Sequence, residues 1–288
     1  MTIAQPVSPT DPPTQPDPRG ESARAAGSAG PAQAAGRLSF APAPGRAPLA
    51  RMLRAQTAME FKLLMRNGEQ VGLTLIVPLL LLVFFNLPML YSLDGRRIDF
   101  VAPSILALAV MSAAFTGLAI GTAFERKYLV LKRLGATALP RAALIGGKTL
   151  AVLLVEVVQC ALICALAFAL GWHPHGDPLL AVLLLVLGTL AFGGLGLLVA
   201  GTLRAEVVLG VANLAWLVLM FCGGIALPLD RFGSGTADVL RLLPSAALSD
   251  GLHRVLQHGE LPGWGPVLTL AVWAAASLAA AARWFRWE

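Results

Sequence analysis

Residues 71–91 read VGLTLIVPLLLLVFFNLPMLY, with no charged side chain anywhere in the run. That length matches the roughly 20 residues a helix needs to cross a hydrocarbon core of about 30 Å. A backbone in lipid must satisfy its own hydrogen bonds, so an unbroken apolar stretch of this kind specifies a helix. The alternating ten-residue segments of a membrane barrel are absent from the chain.

Working outward, five further blocks have the same character: 100–124, 149–172, 179–203, 207–229 and 263–283. Glu156 is the one charge deep inside any of them. The fold expected is therefore an all-α polytopic membrane protein with six transmembrane helices. Bulk composition agrees, because 57% of the 288 residues are hydrophobic and 13% are charged, against roughly 25% charged in soluble domains. The net charge of +6 raises nucleic acid as a partner. The basic residues cluster beside the apolar blocks, however, which points to membrane lipid and against nucleic acid. Cys160, Cys164 and Cys222 all lie within apolar runs and read as small buried side chains, not as a disulfide framework. The first residues, MTIAQPVSPTDPPTQPDP, lack the basic and apolar regions of a cleavable signal, so insertion is expected to begin at the internal segments.

Charge in the flanks orients the bundle. With both termini inside, the N-terminal region supplies eight Lys and Arg, the loop at 125–148 six, the loop at 204–206 one and the C-terminus two. The opposite face has five: Arg96, Arg97, Arg231, Arg241 and Arg254. The excess of basic residues belongs on the cytoplasmic side, giving an N-in, C-in protein of the cell inner (plasma) membrane.

Ahead of the first block the chain changes character twice. Residues 1–48 hold ten of the 20 prolines and a single aromatic residue, Phe40, a composition too poor in apolar surface to offset conformational entropy. This stretch is expected to be a disordered cytoplasmic tail, leaving 49–288 as the transmembrane domain. From Leu49 to Asn67 the residues Leu49, Met52, Leu53, Met59, Leu63 and Leu64 share one side of a helical wheel, with Arg51, Arg54, Lys62 and Arg66 opposite. Gln56 and Glu60 intrude on the apolar arc. A basic amphipathic helix before a span reads as an interfacial helix on the membrane, or else as a cytoplasmic extension of that span. Between the last two blocks, 230–262 is too apolar for a free loop, and Pro228, Pro244 and Pro262 cut it into pieces. Short helices at the outer face, around 237–243 and 246–256, are expected there.

Several local patterns invite chemistry. Gly146-Gly147-Lys148-Thr149 resembles the end of a phosphate loop, but Ala142 stands where its first glycine belongs, and the stretch opens an apolar segment. No nucleotide site is expected, and Lys148 is read as marking the cytoplasmic edge of the third span. Glu156, with Gln159 nearly a turn further on, is costly at mid-membrane and should face the bundle interior or water. It reads either as a polar group in a substrate path or dimer seam, or as a hydrogen-bonded interhelical contact. The small residues Ala113, Gly117 and Gly121, and Gly188, Gly193, Gly194 and Gly196, predict close helix approach. His173 and His175 have no cysteine or carboxylate cluster beside them, so no metal is expected. HExxH and G-x-S-x-G patterns are absent, so an intramembrane enzyme has little support.

The stretch 124–141, FERKYLVLKRLGATALPR, resembles the cytoplasmic loop of ABC-2 type exporter permeases, including daunorubicin-resistance-type membrane subunits. The resemblance is carried by Glu125, Arg126, Leu131, Lys132, Arg133, Leu134, Thr137, Leu139, Pro140 and Arg141. Leu129 stands where a glycine is usual and Ala138 where the first proline is usual. The likeness extends over about 50–288. It implies a permease dimer, a homodimer in the simplest case, served by two copies of a separate ABC ATPase that bind ATP and Mg. This chain would then have no cofactor and no catalytic residue of its own. Residues 125–141, with Lys127 among them, would be the element that couples the permease to the ATPase. The cargo implied is a hydrophobic small molecule or lipid moved outward, as in drug efflux and drug resistance. The alternatives are an exporter of lipid-linked glycan and, in a different class, a non-transporting membrane scaffold or an intramembrane enzyme.

Overall fold

A computed structural model describes residues 47–87, 96–137, 139–225 and 234–286. The expected tail lies outside the described residues apart from its last two, as do residues 88–91 of the first block, Ala138 and Arg231. Among the described residues every regular element is a helix.

The described residues open with α1 (Leu49–Arg66) and, after a break at Asn67, α2 (Gly68–Asn86). A single long helix follows. It is built of α3 (Arg97–Val110), a π-helical segment at Met111–Gly117, and α4 (Leu118–Lys127). A short α5 (Val130–Gly135) leads to α6 (Arg141–Ala169), α7 (Pro178–Thr202) and α8 (Ala205–Cys222). Two small helices, α9 (Ser234–Leu240) and α10 (Pro244–Leu256), precede the final α11 (Trp264–Trp284).

Five helical stretches are long and apolar enough to cross a membrane: Arg97–Lys127, Arg141–Ala169, Pro178–Thr202, Ala205–Cys222 and Trp264–Trp284. The first expected block contributes a shorter apolar helix, Gly72–Asn86. The boundaries differ most around the expected loop 125–148. One helix runs on to Lys127 and the next begins at Arg141, so 128–140 is all that remains between them. Hydropathy marks where a helix is apolar, whereas its ends are set by caps and turns. Here Pro140 takes an extended conformation, and its carbonyl accepts the N–H groups of Ala143 (3.0 Å) and Leu144 (3.2 Å). This starts the helix well before its apolar part.

Glycines let the helices meet closely in α7. A Cβ on Gly194 would lie 2.2 Å from Ser277 Oγ and 2.7 Å from the Leu278 nitrogen. One on Gly196 would lie 2.8 Å from the Phe115 carbonyl oxygen. Gly188 would likewise meet Leu248 at 2.9 Å. The small-residue reading of the fourth block therefore holds, with α11, the π segment and α10 as the three neighbours. Ser277 Oγ adds a hydrogen bond to the Ala191 carbonyl (3.1 Å), and Trp216 Nε1 donates to Ser112 Oγ (2.8 Å), tying α8 to the π segment.

Candidate functional site

The connector between α4 and α6 is built around one strained residue. Tyr128 and Leu129 form the turn that ends α4, and Leu129 sits at φ 60°, ψ 16°. Leu129 is the sole non-glycine residue with positive φ among the described residues. A left-handed conformation costs an L-residue with a Cβ about 1–2 kcal/mol. The glycine usual at this position in the resembling permeases would adopt it freely. The turn is thus retained here without the residue that suits it.

After the turn, α5 buries Leu131 completely and half-buries Leu134, while Lys132, Arg133 and, beyond it, Arg141 are exposed. Thr137 Oγ1 donates to the Leu134 carbonyl (2.6 Å) and accepts from the Leu139 N–H (3.3 Å), leading the chain to Pro140. The three residues before the turn are held by other helices. Arg126 donates to the carbonyl of Leu203, between α7 and α8. Lys127 pairs with Glu206 of α8 at 2.6 Å, an exposed contact with its ammonium 5.7 Å from the Phe124 ring centre.

Glu125 turns inward. Its Oε2 lies 2.6 Å from Lys148 Nζ, and the same nitrogen lies 2.9 Å from Glu60 Oε1. Gln56 Nε2 completes the group by donating to Glu60 at 2.7 Å. The Lys148 side chain is only 2% exposed, so the residue read as the edge of the third span is packed between the helices there. The neighbouring glycines explain how α1 comes so near. A Cβ on Gly147 would fall 2.5 Å from Gln56 Cγ, and one on Gly146 would fall 3.1 Å from Leu53 Cδ1. Gly146-Gly147-Lys148-Thr149 is thus a helix-docking surface inside α6. Its backbone N–H groups are engaged in the helix, whereas a phosphate loop needs them free.

In α1 the basic residues Arg51, Arg54, Lys62 and Arg66 are exposed, and so are Leu49, Met59 and Leu63 of the apolar arc. The two buried residues of this helix are Gln56 and Glu60, the polar intruders. Their i, i+4 spacing beside a lone lysine at the start of an apolar segment was the available signal for this cluster. Sequence reasoning did not join them.

Beside the cluster lies a cleft of about 320 Å³. Glu60, Glu125 and Lys148 lie along it, with Leu63, Leu118, Val152 and Val155 among its apolar walls. Ala113, Gly117 and Gly121 also line it, and a Cβ on Gly121 would meet nothing within 4 Å. Gly121 therefore leaves space instead of bringing helices together, which corrects the close-packing expectation at that position.

Glu156 and Gln159 lie deeper in α6 and are both buried. The carboxylate of Glu156 accepts the Thr189 hydroxyl of α7, and Gln159 Nε2 donates to the Thr74 carbonyl of α2 at 2.8 Å. Each is thus an interhelical tie within the chain, although Glu156 Oε1 and Gln159 Oε1 have no partner.

Comparison with known proteins places this architecture. A Bacillus subtilis (strain 168) protein named "Putative transport permease YvfS" is 24% identical over 226 residues, covering 76% of this chain and 91% of its own length. The model of the family described as ABC-2 family transporter protein matches residues 95–283, from just before α3 to the end of α11. With that match spanning most of the helical bundle, the chain belongs to the ABC-2 family of membrane transporter proteins.

Proposed function

We propose that this chain is the membrane-spanning subunit of an ABC exporter, moving a hydrophobic or amphipathic substrate outward and powered by a separate ATPase. In this reading it crosses the plasma membrane six times with both termini cytoplasmic. The block that contains α2 makes the first crossing, and α9 and α10 lie at the outer face. Two copies of the permease form the path, and two copies of the ATPase bind ATP and Mg at their cytoplasmic side.

The observation that carries this is the connector between α4 and α6. Lys132 and Arg133 are exposed on a short helix, and Leu131 pins that helix to the bundle. Its base is joined to α8 through Lys127 and Glu206, and to α1 and α6 through Glu125 and Lys148. A force applied to such an element reaches several helices as a rigid-body motion. The ATPase is thus expected to grip the basic tip, and the bundle to move with it.

The test is whether the permease co-purifies with a P-loop ATPase from the cells that make it. Lys132→Glu with Arg133→Glu reverses the exposed charge without touching Arg126, which is committed to the Leu203 carbonyl. Loss of the complex is expected, together with loss of ATP-dependent efflux from vesicles. Undiminished complex formation by a correctly inserted double variant refutes the assignment of the connector.

A further inference from the structure

We propose that the cleft bounded by α1, α2, α4 and α6 binds an amphipathic monocation, a small apolar body bearing one ammonium group. The proposal rests on the permease reading above and names the class of substrate that the cleft would load.

Size and lining set the apolar part. A volume of about 320 Å³ falls at the lower end of the roughly 300–1,000 Å³ typical of small-molecule sites. Leu63, Leu118, Val152 and Val155 offer it hydrocarbon, and the absent side chain of Gly121 provides room.

Charge sets the other part. Among the described lining residues there are two carboxylates, Glu60 and Glu125, and one ammonium, Lys148, which leaves a formal charge of −1. The positive member is the least accessible of the three. Side-chain exposure is 2% for Lys148, 7% for Glu60 and 29% for Glu125. A molecule entering the cleft therefore meets a carboxylate, while Lys148 is already occupied by both of its partners. An anion would face Glu125 with no free cation to receive it. An ammonium supplies the missing charge and a charge-assisted hydrogen bond.

A second polar group points the same way. Thr122 lies three residues before Glu125 on the same helix, lines the cleft and is buried, and its Oγ1 has no partner. Elsewhere Thr57, Ser104, Ser112, Thr149 and Thr202 each return their hydroxyl to the carbonyl four residues earlier. Thr122 Oγ1 does not, nor does Thr116 Oγ1, and of the two only Thr122 lines the cleft, where it is an acceptor about one turn before Glu125. An ammonium carries three donors, enough to engage Glu125 and Thr122 together.

The experiment uses the full chain in phosphatidylcholine nanodiscs, titrated with dansylcadaverine and with its neutral N-acetyl derivative. Saturable binding of the amine is expected, at least about tenfold tighter than that of the acetylated probe, the equivalent of about 1.4 kcal/mol. Glu125→Gln should abolish that preference. Gly121→Leu, which adds a side chain where no atom stands within 4 Å of a Cβ, should weaken both probes. Equal affinity of the wild-type chain for the two probes overturns the proposal. So does unchanged amine binding by Gly121→Leu, a variant that remains informative if Glu125→Gln does not fold. Capture of the ATPase by the wild-type chain is measured in parallel. Retained capture without amine preference sinks the cleft assignment alone, whereas absent capture sinks the permease reading.

Discussion

Replacing Lys148 by methionine should destabilise this protein more than any other single change to a charged side chain in the bundle. The substitution keeps the length of the side chain and removes its charge. Glu60 and Glu125 are then left facing each other, having been held at 2.9 and 2.6 Å from one nitrogen. Two like charges on the order of 5 Å apart repel by ~3 kcal/mol at an effective dielectric of about 20. Breaking a buried pair by deleting one partner generally costs about 3–5 kcal/mol. Glu125 retains some exposure, so the lower figure applies, and the thermal midpoint should fall by on the order of 10 °C. Glu60→Gln should do less harm, because Lys148 keeps Glu125. The triple change Lys148→Met, Glu60→Leu, Glu125→Met removes every charge and should recover most of the loss, since apolar replacement of a whole buried cluster is often neutral or stabilising. Fluorescence-detected size-exclusion after heating reads all of these on the full chain. A Lys148→Met variant that melts with the wild type would mean that the cluster is solvated. A triple variant no better than the single one would mean that packing, not charge, sets the cost.

Leu129→Gly should raise stability by about 1 kcal/mol, because it relieves the positive φ at the connector; a lower melting temperature would show that the leucine side chain contributes more than the strain costs. Gly194→Ala places a methyl against Ser277 and the α11 backbone and should cost about 1–3 kcal/mol as overpacking. Gly210→Ala, with nothing within 4 Å of its Cβ, should be neutral or stabilising by up to about 1 kcal/mol, and equal effects of the two would refute the close contact. Burial lowers the His253 pKa below its usual 6.5, against the pull of the Ser249 and Phe100 carbonyls and of Asp250 and with the help of His258. The unfolded chain then binds more protons below pH 6.5, so stability should fall as pH drops from 6.5 towards the depressed value. Melting curves of His253→Gln should lose that slope if His253 is its source.

The five helices long and apolar enough to cross a membrane were legible from sequence because apolar length is a property of a segment by itself. A run such as 179–203 needs no knowledge of its neighbours to declare itself, and α7 occupies Pro178–Thr202. The small residues show where that legibility stops. Gly194 and Gly196 and the pair Gly117 and Gly121 look alike on a helical wheel, yet the first pair touches other backbones and the second faces a cleft. The deciding fact is what lies across from each, and the wheel does not contain it. Charges follow the same rule. Lys148 at the start of an apolar run reads as a boundary marker when its segment is considered alone. Glu60 reads as a blemish on an amphipathic face for the same reason. Their meaning comes from each other across 88 residues, through a contact that Gly147 permits by having no side chain. A buried charge is costly without its partner. The two anomalies, one basic residue too deep in an apolar helix and one acidic residue on its wrong face, therefore account for one another.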